Sequence, residues 1–278
     1  MITQSYPFAD LALSRRLEMA EAYGNVEFVK ARAKAFPESR ATWIEVSGTR
    51  AMFDGPNSPV SQTFGLGILQ PSTRKDLDEV EQFFIDRETD VFHEVSPLSD
   101  QTTFVLLNER GYSPIEFTNV MFRPISSNLV LSATTNDKVT VRLTEENERE
   151  LWSETAFRGW SEFDELADFL RDLGKLHACS SSPSFLASID DQPVATGMLT
   201  IYDGIALLAG ASTIPEARRQ GAQLALLEAR LQYAAEQGCD VAMMCALPGS
   251  ASQRNAERHG FRIAYTRIKW RKSRYDNE

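Results

Sequence analysis

Cysteine is scarce in this chain, and its three cysteines follow no metal-ligand spacing and cannot all pair with one another. The first residues, MITQSYPFAD, lack the basic and apolar regions of a secretory signal peptide. A disulfide framework is therefore not expected, and the chain is predicted to act in a reducing cytoplasm.

Basic residues are also in deficit, since 29 lysines and arginines face 39 aspartates and glutamates, which gives a formal net charge of −10. A general nucleic-acid-binding protein normally carries a basic face, so this class of partner is disfavoured. Net charge informs solubility and steering, and it leaves room for a local basic pocket that binds an anion.

Long apolar runs are missing as well. The least polar segment extends from Pro193 to Pro215, and the turn signal Tyr202-Asp203-Gly204 divides it into two short apolar runs. Two buried strands are predicted here, and no membrane helix.

The chain does contain a repeat, in which Thr89 to Pro124 resembles Cys239 to Lys272. The matching pairs are Asp90-Val91 with Asp240-Val241, Gly111-Tyr112 with Gly260-Phe261, and Phe122-Arg123 with Trp270-Arg271. Each copy predicts a strand, a short helix and a second strand, with the glycine at the helix C-cap. A strand and a longer helix precede each ending: Thr63–Leu69 and Leu77–Phe84 in the first copy, Ile205–Ser212 and Ala222–Gln237 in the second.

This repeat predicts two domains of similar fold, residues 1–126 and 137–278, joined by a linker over residues 127–136. The linker has polar ends and no helical period. Chance similarity between short segments is the alternative to duplication.

The predicted strand Ile205 to Ser212 is apolar on both faces, which indicates full burial, and Gly210 predicts a bulge or a close backbone approach. The segment Thr213 to Gln223 follows it and leads into a predicted helix. A helix start leaves N–H groups without partners at a positive end.

Glycine at position 221 lets a bulky anion approach those amides, and Arg218 and Arg219 add positive charge. The segment therefore predicts an anion site. A loop with solvated arginines is the alternative.

The series Pro215, Arg218, Gly221, a long apolar-striped helix, a strand and a final Gly-Phe resembles the GNAT superfamily of acyl-CoA-dependent N-acetyltransferases. The family's motif is Arg or Gln, two residues, Gly, one residue, then Gly or Ala. Gln223 stands at the last position and departs from this pattern. The resemblance covers roughly Val139 to Trp270.

The resemblance implies direct transfer within a ternary complex, with the thioester of acetyl-CoA in a splay between Ile205–Ser212 and Val241–Leu247. It also implies that backbone groups at the strand end, the loop amides and a later helix bind the donor, without a metal. The residues so implied are Ser212, Thr213, Arg218, Arg219, Gln220, Gly221, Ala222, Gln223, Ser252 and Asn255.

The acid and base that many relatives carry are absent. The strand IALLAGAS contains no glutamate, and Ala256 stands where a tyrosine is common, four residues before Gly260. Tyr265 is proposed as the general acid, with a packed core aromatic as the alternative. Glu154 and Glu162 are proposed to bind or deprotonate the amine, with exposed helical charges as the alternative.

The first copy lacks a corresponding anion loop, because no Arg-x-x-Gly follows Gly65 and Gly67. Its helix begins with carboxylates that satisfy the positive helix end themselves: Asp76, Asp78, Glu79 and Glu81. A degenerate copy is predicted, kept for packing, for shaping the acceptor pocket or for dimerisation. Ligand binding in both halves is the alternative.

The predicted fold class is α+β, with two GNAT-like domains that each contain a mixed, mostly antiparallel twisted sheet flanked by helices. The predicted function is N-acetyl transfer from acetyl-CoA to a small-molecule or peptide amine, and a homodimer is left open. The competing hypothesis is a catalytically silent acyl-CoA-binding or protein-interaction module. Nucleic acid and membrane are not predicted as partners.

Overall fold

A computed structural model describes residues 5–56, 58–127, 129, 136–162 and 172–275 of the chain. The chain divides into two compact units, of which the first contains residues 1–123 and 243–278 and the second contains residues 124–242. Residues 128 and 130–135 of the predicted linker lie outside the described residues.

The units do not coincide with the predicted domains 1–126 and 137–278. The second unit is inserted into the chain of the first, and the chain returns to the first unit within the strand β10 (Val241–Ala246). The end of the predicted second copy therefore belongs to the first compact unit.

The first unit contains a mixed sheet in the order β1-β2-β3-β4-β11-β5. Its strands are β1 (Thr42–Val46), β2 (Thr49–Phe53), β3 (Gln62–Phe64), β4 (Val91–Val95), β5 (Ser113–Pro124) and β11 (Arg262–Lys272). Strands β3 and β4 are parallel, and the other neighbours in this order are antiparallel. The predicted strand over Thr63–Leu69 ends early, at Phe64, because Gly65 adopts φ +84° and turns the chain.

The helices of the first unit are α1 (Leu11–Ala35), α2 (Arg74–Ile85), α3 (Gln101–Glu109) and α7 (Ala251–Arg258). Helix α1 was not predicted from the sequence. Its N-cap is Asp10, whose side chain accepts a hydrogen bond from the Leu13 amide at 3.0 Å. The helix packs against β1, β2 and β3.

The predicted glycine caps are confirmed in both copies of the repeat. Gly111 after α3 and Gly260 after α7 adopt φ +79° and +78°. The next amide in each copy donates back to a helical carbonyl at 3.0 Å, from Tyr112 to Leu107 and from Phe261 to Ala256. A side chain at either glycine would be strained in this left-handed conformation.

The second unit contains an antiparallel sheet in the order β9-β8-β7-β6. Its strands are β6 (Val139–Leu143), β7 (Ser184–Ile189), β8 (Gln192–Tyr202) and β9 (Ile205–Thr213), and its helices are α4 (Arg149–Gly159), α5 (Leu173–Cys179) and α6 (Ala222–Glu236). Helices α4 and α6 pack on these strands. The α+β fold class, with mostly antiparallel sheets flanked by helices, is thus confirmed.

In the part of the chain that the structure describes, no helix is both long enough and apolar enough to cross a membrane. The short apolar runs on either side of Tyr202 form β8 and β9, as the turn signal predicts.

Candidate functional site

Strand β9 is interrupted by a bulge at the predicted position. Thr196 on β8 pairs with Ser212, and Met198 pairs with Ala209, so that Gly210 and Ala211 together face a single residue of β8. Gly210 adopts φ +59°, which only glycine reaches without strain. The bulge was predicted, but the prediction of full burial is wrong, because Ala209 and Gly210 are exposed in the middle of the strand.

The C-terminal end of α4 lies directly against the end of β9. A Cβ atom placed on Gly159 would come within 2.3 Å of the Ser212 Oγ and 2.6 Å of the Ser212 Cβ. The Ser212 hydroxyl is buried, lies 3.1 Å from the Thr196 hydroxyl and donates to the Ala156 carbonyl at 3.4 Å. The helix and the strand are therefore held together at the point where the predicted anion loop begins.

The loop itself is built from two left-handed residues. After the short 3₁₀ helix Pro215–Ala217, Arg219 adopts φ +63° and Gly221 adopts φ +91°. The Asn136 side chain donates to the Gln220 carbonyl at 2.9 Å, which fixes the loop from outside. Among the described residues, a Cβ on Gly221 would contact only the Asn136 Cβ, at 3.7 Å, so this part of the structure leaves the space beside Gly221 otherwise open.

Helix α6 starts at this loop without a side-chain cap. Gly221 is its N-cap and no side chain of the described residues accepts from the first amides, nor does the first turn contain an acidic residue. Helix α2 in the first unit starts differently: Thr73 and Asp76 form a capping box that satisfies its N-terminal donors. Asp76 thus caps the start of α2, as predicted for the first copy. The start of α6 has no such cap, so its first amides remain available as donors at the positive end of the helix dipole.

Arg218 is exposed but is held in place by protein contacts. Its guanidinium forms an ion pair with Glu162, with 2.5 Å between Nη1 and Oε2, and it donates to the carbonyl groups of Thr213 and Gly159 at 3.3 and 3.4 Å. The structure thus brings together a residue predicted to bind the donor and a residue predicted to act on the amine. The side chains of Arg218 and Glu162 remain 40% and 56% exposed, so the pair is accessible to a competing anion.

Two further predicted residues have simple environments. Gln223, the departure from the family motif, donates from Nε2 to the Thr213 hydroxyl at 2.7 Å and so ties the first turn of α6 to the end of β9. Glu154 is exposed on α4, on the same helix that ends at Gly159.

Tyr265, proposed as the general acid, lies on β11 in the first unit. It is 7% exposed, and its hydroxyl donates to Glu18 at 2.8 Å. Burial together with the neighbouring Glu18 carboxylate raises its pKa well above the usual value. Tyr265 thus has the environment of a packed core aromatic, which was the alternative interpretation of the sequence. A phenol with a raised pKa is a poor proton donor.

Glu18 belongs to a buried ionic cluster around Arg267, whose guanidinium also contacts the carboxylates of Glu21 and Glu94 at 2.7 and 3.0 Å. Burial raises the pKa of Glu18 to about 7, although the adjacent Arg267 acts in the opposite direction. The other oxygen of Glu18, Oε2, is buried and has no hydrogen-bond partner within the described structure. The cluster holds α1 against β4 and β11.

The raised pKa of Glu18 predicts a pH dependence of stability. Between the ordinary pKa of 4.5 and about 7, the folded state binds this proton more tightly than the unfolded state does. The contribution of Glu18 to the free energy of unfolding therefore falls as the pH rises through this window. We expect Glu18→Gln, which stays neutral, to lose less stability than the wild type across the window, as measured by urea unfolding at a series of pH values. Glu38→Gln, at an exposed position of the same unit, is the control, and parallel pH profiles for wild type and Glu18→Gln would contradict the prediction.

Ser252 and Asn255, implied as donor contacts, are exposed on α7 in the first unit. The remaining implied residues, from Ser212 to Gln223, lie in the second unit. Among the described residues, no group of three or more His, Cys, Asp or Glu side chains is placed to hold a metal ion.

Residues 145–261 match the model of the acetyltransferase (GNAT) family. A search of curated proteins found no match to the chain.

Among solved structures, a GCN5-related N-acetyltransferase from Kribbella flavida is 17% identical, with a TM-score of 0.62 over 87% of this chain and 93% of that chain. A tandem GNAT protein from the clavulanic acid biosynthesis pathway is 13% identical, with a TM-score of 0.58 over 83% of this chain and 79% of that chain. A GCN5-related N-acetyltransferase from Sphaerobacter thermophilus is 17% identical, with a TM-score of 0.54 over 72% of this chain and 67% of that chain. At these identities the likeness is one of fold.

Proposed function

We propose that this chain, whose residues 145–261 form an acetyltransferase domain of the GNAT family, transfers an acetyl group from acetyl-CoA to a primary amine. The observation that supports this function best is the uncapped start of α6, where Gly221 leaves the first amides accessible. A diphosphate is the ligand whose charge and size such a helix end accommodates. We also propose that the protein acts in the reducing cytoplasm, where its three cysteines would remain free thiols.

The residues from Arg219 to Gln223 would hold the pyrophosphate through their backbone amides, and Arg218 would add a charge-assisted contact. The exposed part of β9 at Ala209 and Gly210 offers backbone groups to the acyl-bearing arm. Acetyl-CoA supplies a thioester, whose carbonyl carbon forms the new bond to nitrogen while the carbon–sulfur bond breaks.

An amine with a pKa near 10.4 is mostly protonated at neutral pH and must lose a proton before it attacks. We infer that Glu154, which is exposed on α4, takes part in this step through water, since Glu162 is engaged by Arg218. General bases of this kind contribute about 10²–10⁴ in rate. Attack by the neutral amine leaves a positively charged nitrogen, and the proton that this nitrogen loses balances the one that the departing thiolate takes up, through solvent.

The Arg218–Glu162 pair provides a test of these roles. Because the pair is substantially exposed, breaking it costs roughly 0–1 kcal/mol of stability. Glu162→Gln releases Arg218 for the donor, and we expect the Kd for acetyl-CoA to fall by about two- to fivefold while kcat is retained, since one charge-assisted contact is gained without competition. Isothermal titration calorimetry and steady-state kinetics measure these two quantities.

Glu154→Gln is the matched control, because it removes a carboxylate from the same region without freeing an arginine. It should leave the Kd for acetyl-CoA unchanged and lower kcat. A loss of kcat in Glu162→Gln without any gain in affinity would show instead that Glu162 acts on the amine.

The proposed function is tested by heat stability and by turnover. Acetyl-CoA at about 100 times its Kd stabilises a folded protein by about 2.7 kcal/mol, which for a domain of this size raises Tm by roughly 5–10 °C. Release of free CoA is then followed with a library of small amines and of peptides with free N-termini or lysines. The absence of any rise in Tm at high acetyl-CoA would refute the proposal.

The alternative is a silent acyl-CoA-binding or protein-interaction module. The position of Tyr265 favours it, because the phenol proposed as the acid is buried and bonded to Glu18 in the first unit. Binding of acetyl-CoA without CoA release for any amine supports this alternative, and turnover with one amine excludes it.

A further inference from the structure

We propose that Arg230 is a positioning residue that holds the bulge of β9 in the shape that receives the acyl-bearing arm of the donor. The inference rests on the proposed function, which it deepens by adding a residue outside the anion loop. Arg230 lies on α6, two turns after the uncapped end of the same helix. One helix would thus bind the pyrophosphate at its start and support the strand beside the thioester further along.

The Arg230 side chain lies beneath the bulge and is 4% exposed. Its Nη1 donates to the Met198 carbonyl at 3.2 Å and to the Ala209 carbonyl at 3.4 Å. Its Nε donates to the Leu226 carbonyl, one turn earlier on α6, at 3.2 Å. Met198 and Ala209 form the last regular pair before the register shift, so one guanidinium group is bonded to both strands where their regular pairing ends.

No carboxylate of the described residues forms an ion pair with Arg230. Burial lowers the pKa of its guanidinium to about 10, which leaves it charged at neutral pH. A buried charge without an acidic partner is costly, and carbonyl dipoles are its compensation here. Apolar residues of similar volume often replace buried charges without loss of stability, so packing alone does not explain an arginine at this position.

Strand β8 has a glycine, Gly197, at the position that faces the guanidinium. A Cβ atom on Gly197 would lie 3.1 Å from the Arg230 Cζ and 3.2 Å from its Nε. Gly197 is also the residue of β8 that lies between the pairs on either side of the bulge. The glycine, the bulge and the arginine therefore form one arrangement.

The arrangement acts on the backbone at an exposed place. A charged donor to the Ala209 carbonyl polarises the peptide group between Ala209 and Gly210, which makes the Gly210 N–H a stronger hydrogen-bond donor. Ala209 and Gly210 are exposed, and Gly210 has no partner on β8. A thioester carbonyl bound along this strand would be held by a backbone that Arg230 both shapes and polarises.

The test compares two probes, acetyl-CoA and ADP, because ADP presents the diphosphate to the loop without the acyl-bearing arm. In Arg230→Met we expect the Kd for acetyl-CoA to rise at least tenfold, while the Kd for ADP changes by less than twofold. Arg230→Lys keeps a charge but not the planar fork, so it should recover part of the affinity. Gly197→Ala keeps the arginine but pushes its guanidinium away from β8, so it should reproduce the selective loss of affinity for acetyl-CoA.

Gln232→Met is the matched control, because it introduces the same side chain at an exposed position of α6. Thermal unfolding of each variant separates folding from binding. Equal loss of both probes, or unchanged affinity for acetyl-CoA in folded Arg230→Met and Gly197→Ala, would overturn the inference and show a merely structural arginine. Failure of the wild type to bind acetyl-CoA would refute the proposed function itself, and this inference with it.

Discussion

In the Gly221→Asp variant, acetyl-CoA is expected to leave the melting temperature unchanged, whereas it should raise that of the wild type by roughly 5–10 °C. The reason is first electrostatic. The new carboxylate lies at the N-cap of α6, where it competes for the amides that would bind the pyrophosphate and repels the diphosphate. The second reason is conformational, because at φ +91° a side chain is strained by about 1–2 kcal/mol.

The experiment is differential scanning fluorimetry with and without acetyl-CoA. Gly238→Asp is the matched control, because Gly238 lies just beyond the other end of α6 at φ +80°, and no described atom lies within 4 Å of a Cβ placed there. Both variants incur the left-handed penalty, but only Gly221→Asp alters the anion site. A full thermal shift in Gly221→Asp would mean that the donor does not use this helix end.

The second large effect is expected from Gly159→Ala. The added methyl group would lie 2.6 Å from the Ser212 Cβ and 3.1 Å from the Thr213 amide nitrogen, so α4 and the end of β9 must separate. Overpacking of this kind costs about 1–3 kcal/mol in the free energy of unfolding. Since the anion loop follows Thr213 directly, we also expect weaker acetyl-CoA binding.

A double-mutant cycle with Ser212→Gly isolates this clash, because that change removes the two atoms nearest to the new Cβ. Urea unfolding of the two single variants and the double variant gives the coupling energy. We expect Gly159→Ala to be much less destabilising in the Ser212→Gly background. Strictly additive effects would show that the close approach of Gly159 to Ser212 does not limit the packing.

Local sequence signals accounted for much of the second unit. Apolar spacing after Gly221 predicted α6, Gly210 predicted the bulge in β9, and the arginine at position 218 indicated charge at the loop. These features depend on residues that are close in sequence, and their physical causes are helix periodicity, positive φ and the helix dipole.

Side-chain partners that are distant in sequence were not predictable in the same way. Nothing in the sequence pairs Glu162 with Arg218, 56 positions apart. Arg230 lies beside the apolar stripe of α6. At such a position the sequence looks the same whether the arginine extends to solvent or is buried under a strand. The signal that could have found it is the combination of Gly197 and Gly210 on the facing strands.

Helix α1 and the position of β11 were missed for a related reason. The inward face of α1 carries Glu18 and Arg32, so its buried side is not uniformly apolar, and the charges are compensated by distant residues such as Arg267 and Asp54. The repeat placed β11 in the second copy by sequence order. In the structure β11 pairs with β4 and β5.

The pairing of β11 with β4 and β5 affects when the first unit can complete its folding during synthesis. The second unit lies in sequence between Pro124, at the end of β5, and Arg262, at the start of β11. It must therefore leave the ribosome before β11 does. During that interval β4 and β5 lack the strand that lies between them, and the carboxylates of α1 lack Arg267. The nascent first unit therefore stays incomplete, with backbone edges on β4 and β5 open to pairing with other strands, until β11 has left the ribosome.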